Sequence, residues 1–382
     1  MFRYRLLYLA SFILLFVSAC GSERTVASER AYRAARSEGD ILIGVAADPD
    51  GWMWKGIWMA VEEINGAGGI LSRQVQVIQK YDESSPTQAK LVAQQFASNP
   101  DMVAVIGHWG SDMAISASAT YEFAGLLMIC PAATSPKLTE QGFRLVFRTS
   151  PSNKQVGPQL ASFAASQGYQ RMMIVSAKDA YGRGLGNVFE MQAGKEGITI
   201  VDRVSYPDGA NDFAPLLTHW NELDFEAVFV AGTNPETAYF VDQARAQGIA
   251  QPILGGEGLA TEALWEIAGE AAEGVMTATY FHPDDPRPEV RRFKADFQER
   301  YSVPPDVWAA QGYDAVYLLA HAMETAGTTV PEEVAGALRS IQNWPGVTGS
   351  HTFQESGDVV DKPIVLDIVR DGAFEYYASL GD

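Results

Sequence analysis

The chain has 382 residues, 47% of them apolar, which is enough to fill one or two sizeable cores, and Gly 35 with Pro 19 suits many short loops. Twenty-eight Lys and Arg against 47 Asp and Glu leave a net charge of −19. Nucleic acid is therefore excluded as a partner, because binding phosphates needs a basic footprint, and the excess reads as a well-solvated acidic surface.

The N-terminus carries Arg3 and Arg5, an apolar core from Leu6 to Val17, and the small residues Val17-Ser18-Ala19 before Cys20. This resembles a bacterial lipoprotein signal, residues 1–20, ending in a lipobox. Cleavage there would leave Cys20 acylated and the mature chain anchored by lipid. An ordinary secretory signal or a short N-terminal anchor is the alternative, although the apolar run is short for a membrane span. Residues 21–39, polar and rich in Ser, Glu, Arg and Ala, read as a partly helical tether. After export only Cys130 would remain, so no internal disulfide is expected; at the end of an apolar strand it reads as a buried, inert thiol.

From Asp40 the pattern alternates. Ile41–Ala46 is expected as a strand, Trp54–Asn65 as a helix ended by Gly66-Ala67-Gly68-Gly69, Val75–Tyr81 as a strand, and Pro86–Ser98 as a helix opened by Ser85 and a proline in its first position. Val103–Gly107 is a short β-branched run suited to a buried parallel strand. The turn His108-Trp109-Gly110 then delivers Ser111 and Asp112 as N-cap candidates to the amphipathic stretch Met113–Phe123. Leu126–Cys130 is the next strand, ending in Pro-Ala-Ala-Thr-Ser-Pro. Two neighbouring strands thus finish in small hydroxyl residues and free N–H groups, a cradle for an anion such as a carboxylate, at the sheet edge where open α/β sheets bind ligands.

The alternation restarts after Ser150, with helices at Lys154–Gln167, Gly184–Glu196, Phe213–Trp220 and Pro235–Gln247 and strands at Met172–Ala177, Ile198–Val204, Ala227–Ala231 and Pro252–Leu254. Two α/β lobes with parallel sheets and helices on both faces follow from this. Further on, Glu289–Tyr301 and Ala310–Ala326 are helical, and Pro363–Arg370 with Phe374–Tyr377 forms a hairpin around Asp371-Gly372.

Gly107-His108 with Ser111, Leu127-Met128-Ile129 and Pro131-Ala132-Ala133-Thr134-Ser135-Pro136-Lys137-Leu138-Thr139 closely resemble the leucine/isoleucine/valine-binding proteins, type I periplasmic receptors of branched-chain amino acid ABC transporters. The similarity continues in order through Phe147-Arg148-Thr149, Gln155-Val156-Gly157-Pro158, Tyr181-Gly182-Arg183-Gly184, Asn211-Asp212-Phe213 and Gly255-Gly256-Glu257-Gly258. It covers nearly everything after residue 40. The resemblance implies two Rossmann-like, doubly wound lobes joined by a three-crossover hinge, with the ligand cleft between them. Lobe 1 would comprise 40–150 and 281–350, lobe 2 151–280 and 351–382. The crossings are placed near Arg148–Pro151, Thr279–His282 and Gly349–Phe353. Some relatives carry a disulfide near the cleft, in the neighbourhood that Ser84 and Gly110 occupy here.

By the same resemblance Ser111 and Thr134 match the positions that hold an amino acid's α-carboxylate, Ala132 a backbone contact, Glu257 the carboxylate receiving the α-ammonium, and Tyr181 a cleft tyrosine of the second lobe. On spacing alone Ser111 reads as a plain N-cap and Glu257, between glycines, as an exposed side chain. Thr233 stands where several relatives have another aromatic residue. The first loop, Ala46–Gly51, is shorter than in relatives and runs directly into Trp52-Met53-Trp54-Lys55. With Trp109 beside Ser111, indoles from Trp52 and Trp109 would gather at the cleft and suit an aromatic or bulky apolar ligand. Trp54, Trp58 and Val61 can alternatively form a helix's core face, and Trp58 is read that way. Asp112 either reaches the cleft or is an exposed capping residue.

An enzyme is not expected. Ser111 lacks a G-x-S-x-G setting, and Gly182-Arg183-Gly184-Leu185-Gly186, with Asp202 beyond it, departs from a dinucleotide fingerprint in its third glycine. His108, His219, His282, His321 and His351 show no metal-ligand spacing, and no cofactor is called for. The reading is a monomeric, lipid-anchored receptor in the periplasm or cell envelope that hands an amino acid to an ABC permease. The alternatives are a ligand-sensing domain serving a signalling partner and a binder of a related amide or carboxylate.

Overall fold

The computed structural model describes residues 24–380; the signal sequence and Cys20 lie outside them. The chain opens with α1 (Val26–Ala34), then alternates through β1 (Ile41–Ala46), α2 (Trp52–Gly66), β2 (Val75–Lys80), α3 (Pro86–Ala97), β3 (Met102–Gly107), α4 (Ser111–Phe123), β4 (Leu127–Cys130) and β5 (Val146–Arg148). These strands form one parallel sheet in the order β2-β1-β3-β4-β5. Every residue of β3 and β4 is buried, as expected where helices cover both faces.

The second alternation runs α5 (Asn153–Ser166), β6 (Arg171–Ala177), α6 (Ala180–Lys195), β7 (Thr199–Tyr206), α7 (Ala214–Trp220), β8 (Ala227–Ala231), α8 (Glu236–Ala246), β9 (Ile253–Gly255), α9 (Ala263–Ala268) and β10 (Met276–Thr279). It is followed by α10 (Pro288–Tyr301), α11 (Val307–Ala326), α12 (Pro331–Ser340), the short strands β11 (Trp344–Gly346), β12 (Gly349–Phe353) and β13 (Val359–Val360), and the hairpin β14 (Ile364–Arg370) and β15 (Ala373–Leu380). The second sheet has the order β15-β14-β10-β9-β8-β6-β7, parallel except for the antiparallel hairpin added at one edge. That hairpin turns at Asp371-Gly372, both with positive φ, the backbone an Asp-Gly turn supplies.

Helices α10 and α11 return to the first sheet. The face of α2 carrying Met53, Ile57, Ala60, Val61 and Ile64 is buried, α2 and α11 lie against each other, and the Tyr301 hydroxyl of α10 donates to Lys55 O at 3.0 Å. Trp58 is not on the buried face: it is 36% exposed and stacks on Trp54 at 5.5 Å. A residue one position beyond Ile57 is rotated about 100° around the helix, which takes the indole off the stripe facing α11.

Two readings of the sequence are corrected. β12 pairs with β11 on one side and β13 on the other, and a bridge joins Arg148 to Asp358 at the first sheet's edge. The third passage between sheets therefore lies at 361–363, between β13 and β14, and not at Gly349–Phe353. The stretch read as a tether is docked from α1 onward. Arg30 is fully buried and donates to the carbonyls of Met102 at 2.6 Å, Ala97 at 2.8 Å, Asn99 at 2.9 Å and Ala124. Ala97 ends α3, Asn99 lies just beyond it and Ala124 caps α4, so one guanidinium satisfies carbonyls that helix ends leave unpaired and sits at their negative dipole ends. Burial brings its pKa down to about 10, which still leaves it charged.

Candidate functional site

The C-terminal ends of both sheets face one cleft. On the first sheet, β3 ends in a turn held by His108, whose Nδ1 lies 2.5 Å from Asp82 Oδ2 and whose Nε2 lies 3.0 Å from the Tyr121 hydroxyl, all three residues buried. The Cys130 thiol donates to His108 O at 3.2 Å, and burial raises the thiol's pKa, consistent with an inert group. The N-cap of α4 is Gly110; Ser111 and Asp112 are already helical. Ser111 Oγ instead accepts from Ser135 N at 3.2 Å, which ties the β3 turn to the β4 loop. Its hydroxyl proton remains available to an acceptor in the cleft, beside the unpaired N–H groups of the helix's first turn. Asp112 does reach the cleft: it borders the cavity, and its Oδ2 accepts from Ala180 N at 3.0 Å, at the start of α6 on the opposite wall.

The second sheet contributes Glu257 from the loop after β9. It is 2% exposed, because its neighbours bring the backbone in tight: a Cβ on Gly256 would lie 2.6 Å from the Tyr181 hydroxyl, and one on Gly258 2.2 Å from Gly232 O. Glu257 Oε1 accepts from the Thr134 hydroxyl at 3.2 Å, bridging the two sheets, while Oε2 has no hydrogen-bond partner among the described residues. Burial raises the carboxyl's pKa, and the neighbouring hydroxyls of Tyr280, Thr134 and Tyr181 offset part of the rise. The phenols of Tyr181 and Tyr280 are pushed well up, first by their own burial and then by this carboxylate. The Tyr181 hydroxyl accepts from Gly258 N at 3.4 Å.

Between the walls lies a cavity of about 470 Å³ that includes Ser111, Ala132, Tyr181, Thr233, Glu257 and Trp109 in its lining. Trp52 is not in that lining. It borders an adjoining cavity of about 290 Å³ with Ala47, Asp48, Met53 and Tyr81, stacks on Phe297 at 6.1 Å, and carries the Lys55 ammonium 4.5 Å above its ring. Trp109 and Trp308 line both cavities and meet edge to face at 5.6 Å. Trp308 was missed from the sequence, although a cap signal marks it: Asp306 accepts from Ala309 N at 2.8 Å at the start of α11. The Gly182-Arg183-Gly184 run lies inside α6, capped by Asp179, so it forms no phosphate loop. Among the described residues no cluster of three or more His, Cys, Asp or Glu side chains could hold a metal ion, and no helix is long and apolar enough to cross a membrane.

A buried carboxylate on one wall, opposed by hydroxyls and a helix N-terminus on the other, is complementary to a small zwitterion. The periplasmic binding protein family matches residues 42–372. The leucine-, isoleucine-, valine-, threonine- and alanine-binding protein of Pseudomonas aeruginosa is 31% identical over 305 residues, covering 80% of this chain and 81% of that one. The Leu/Ile/Val-binding protein of Escherichia coli is 32% identical over 330 residues, 85% of each chain. Among solved structures, an ABC transporter substrate-binding protein from Desulfitobacterium hafniense in complex with Leu is 38% identical, with a TM-score of 0.79 over 88% of this chain and 100% of that one. With the family matched across nearly all of the described residues and the cleft built in this way, the chain belongs to the periplasmic binding proteins, in the type I branch that contains the Leu/Ile/Val-binding proteins.

Proposed function

We propose that the chain captures an apolar α-amino acid of the leucine class between its lobes and delivers it to an ABC permease. The observation that carries this is the meeting of Thr134 and Glu257 across the cleft at 3.2 Å, with Glu257 Oε2 unpartnered among the described residues. An α-ammonium would take the free carboxylate oxygen, and an α-carboxylate would take the Ser111 hydroxyl with the N–H groups of α4 and of the Ala132 loop, while Thr134, whose hydroxyl proton is given to Glu257 and not to the ligand, fixes the Glu257 carboxylate from the opposite wall. Each end of the zwitterion then touches a different lobe, so binding favours the closed form. Trp109 and Trp308 supply the apolar wall for the side chain, and Thr233 widens the opposite one; these substitute for the aromatic enclosure of relatives and admit aromatic side chains. The protein acts in the periplasm as a monomer and without catalysis, held to a membrane through acylated Cys20. Native mass spectrometry for a co-purified amino acid, followed by calorimetric titration with leucine, isoleucine, valine, phenylalanine and tryptophan, tests the reading. Tight binding of leucine or an aromatic amino acid is expected; no binding of any of the five refutes it.

A further inference from the structure

The three passages between the sheets converge on one turn, Gly346-Val347-Thr348, between β11 and β12. Arg287, at the end of the second passage, donates to Gly346 O at 3.0 Å and Val347 O at 2.9 Å. Asp314 on α11 accepts from Val347 N at 2.9 Å, from Thr348 N at 2.8 Å and from the Thr348 hydroxyl at 2.5 Å. Lys362, in the third passage, is 3% exposed. Its ammonium donates to Thr149 O in the first passage at 2.8 Å and to Thr348 Oγ1 at 2.7 Å, and lies 2.7 Å from His351 Nε2 on β12. All three donors of a buried ammonium are therefore placed, on partners from the first passage and from the small sheet at the first lobe's edge, and none of them faces the ligand.

A buried charge is costly, and an apolar side chain of the same length would fill the space without that cost. What the ammonium adds is a fixed link. Because its partners all lie on the first-lobe side, the third passage moves with that lobe as far as Lys362. The rotation that closes the cleft is then confined to the residues that follow it and to those after Thr149.

We propose that Lys362 is the positioning residue of lobe closure: its ammonium pins the third passage to the first, so that the lobes turn about one defined axis and bring Thr134 to Glu257. This rests on the amino acid-binding reading above. The groups facing Lys362 are Asp314 from α11, His351 from β12 and Arg287 from the second passage, with Arg148 at the end of β5 already paired to Asp358. Burial lowers the Lys362 pKa to about 7, with Asp314 raising it and Arg287 lowering it. His351 is held neutral, chiefly by burial and then by Lys362. A neutral amine has two donors for three partners, so the link weakens as pH rises through about 7. Unfolded, the lysine keeps its proton to its ordinary value of 10.5, so its contribution to stability rises with pH over the same range. Closure and stability thus change in opposite directions, which a purely structural lysine would not produce.

Leucine titration calorimetry, melting curves and ligand-free small-angle scattering of the full chain, from about pH 6 to about pH 8.5, test this. Wild type is expected to lose leucine affinity roughly fivefold across the range as its ligand-free scattering broadens. Lys362→Met should bind leucine as weakly at about pH 6 as wild type does at about pH 8.5 and lose the step. Asp314→Asn should move the step to lower pH, because its carboxylate is what holds the proton on. A folded Lys362→Met with wild-type affinity and the wild-type step overturns the proposal. If that variant does not fold, a flat wild-type profile, or an unmoved step in Asp314→Asn, overturns it instead. Should leucine fail to bind wild type at any pH, the binding reading falls while the scattering still decides: identical ligand-free curves across the range overturn the hinge proposal, and broadening at the higher pH supports it.

Discussion

Replacing Glu257 by Gln isolates the charge that the cleft offers to an ammonium. The side chain keeps its shape, and its remaining oxygen still accepts from the Thr134 hydroxyl. The NH₂ group, however, replaces the unpartnered Oε2 and turns a donor toward the ligand's own donors. At 2% exposure water cannot substitute for the lost counter-charge. Removing one partner of a buried hydrogen-bonded charge pair costs about 2–5 kcal/mol, which at tenfold per 1.4 kcal/mol is roughly a 30-fold to few-thousandfold loss of leucine affinity. Ser111→Ala removes one hydroxyl donor to a charged acceptor and leaves the helix N–H groups in place, so about 1.5–3 kcal/mol is expected. Calorimetric titration of both variants with leucine at neutral pH, after melting curves have shown them folded, measures the difference. Near-wild-type affinity in Glu257→Gln would refute an α-amino acid held across the lobes and direct the search to amides or to carboxylates lacking the amino group.

The raised pKa of Glu257 predicts that leucine affinity falls as pH drops through it, because a protonated carboxyl no longer pairs with an ammonium. Ligand-free stability moves the other way: between the ordinary and the raised value the folded carboxyl holds a proton that the unfolded one has released, so this contribution is lost as pH rises through that window, which acid-range melting curves will show. Arg30→Met should destabilise the fold by about 2–4 kcal/mol, since four carbonyls lose their shared donor, and should leave the leucine affinity of the folded protein unchanged in calorimetry. Cys20→Ala should release the folded protein from membranes on fractionation; a wild type recovered soluble and unacylated from a bacterium refutes the lipid anchor. Trp109→Ala opens the wall shared by both cavities and should weaken phenylalanine more than valine in titration, and an equal loss for the two would show that the indole does not face the side chain.

The alternation of strands and helices was legible because each reports its own burial. Ile41–Ala46 and Ala227–Ala231 are strands over the spans expected, as short β-branched runs with both faces covered must be. Local chemistry also placed Ser85 as the cap of α3 and Asp371-Gly372 as a hairpin turn. The residues singled out by resemblance, Ser111, Ala132, Tyr181, Thr233 and Glu257, line one cavity with Trp109, which its place beside Ser111 had marked, and Thr134 joins it through Glu257. The tertiary structure decided the rest, and the reason is the same in each case. Periodicity says that a side chain is buried but not against what. Nothing local tells that Asp112 accepts a free N–H at the start of a helix of the other lobe, that Arg30 gathers carbonyls from two helix ends some seventy to ninety residues further on, or that Trp308 meets Trp109. β13 is two residues long, too short to carry a pattern, so the third passage and the lysine within it became visible only once distant strands had paired.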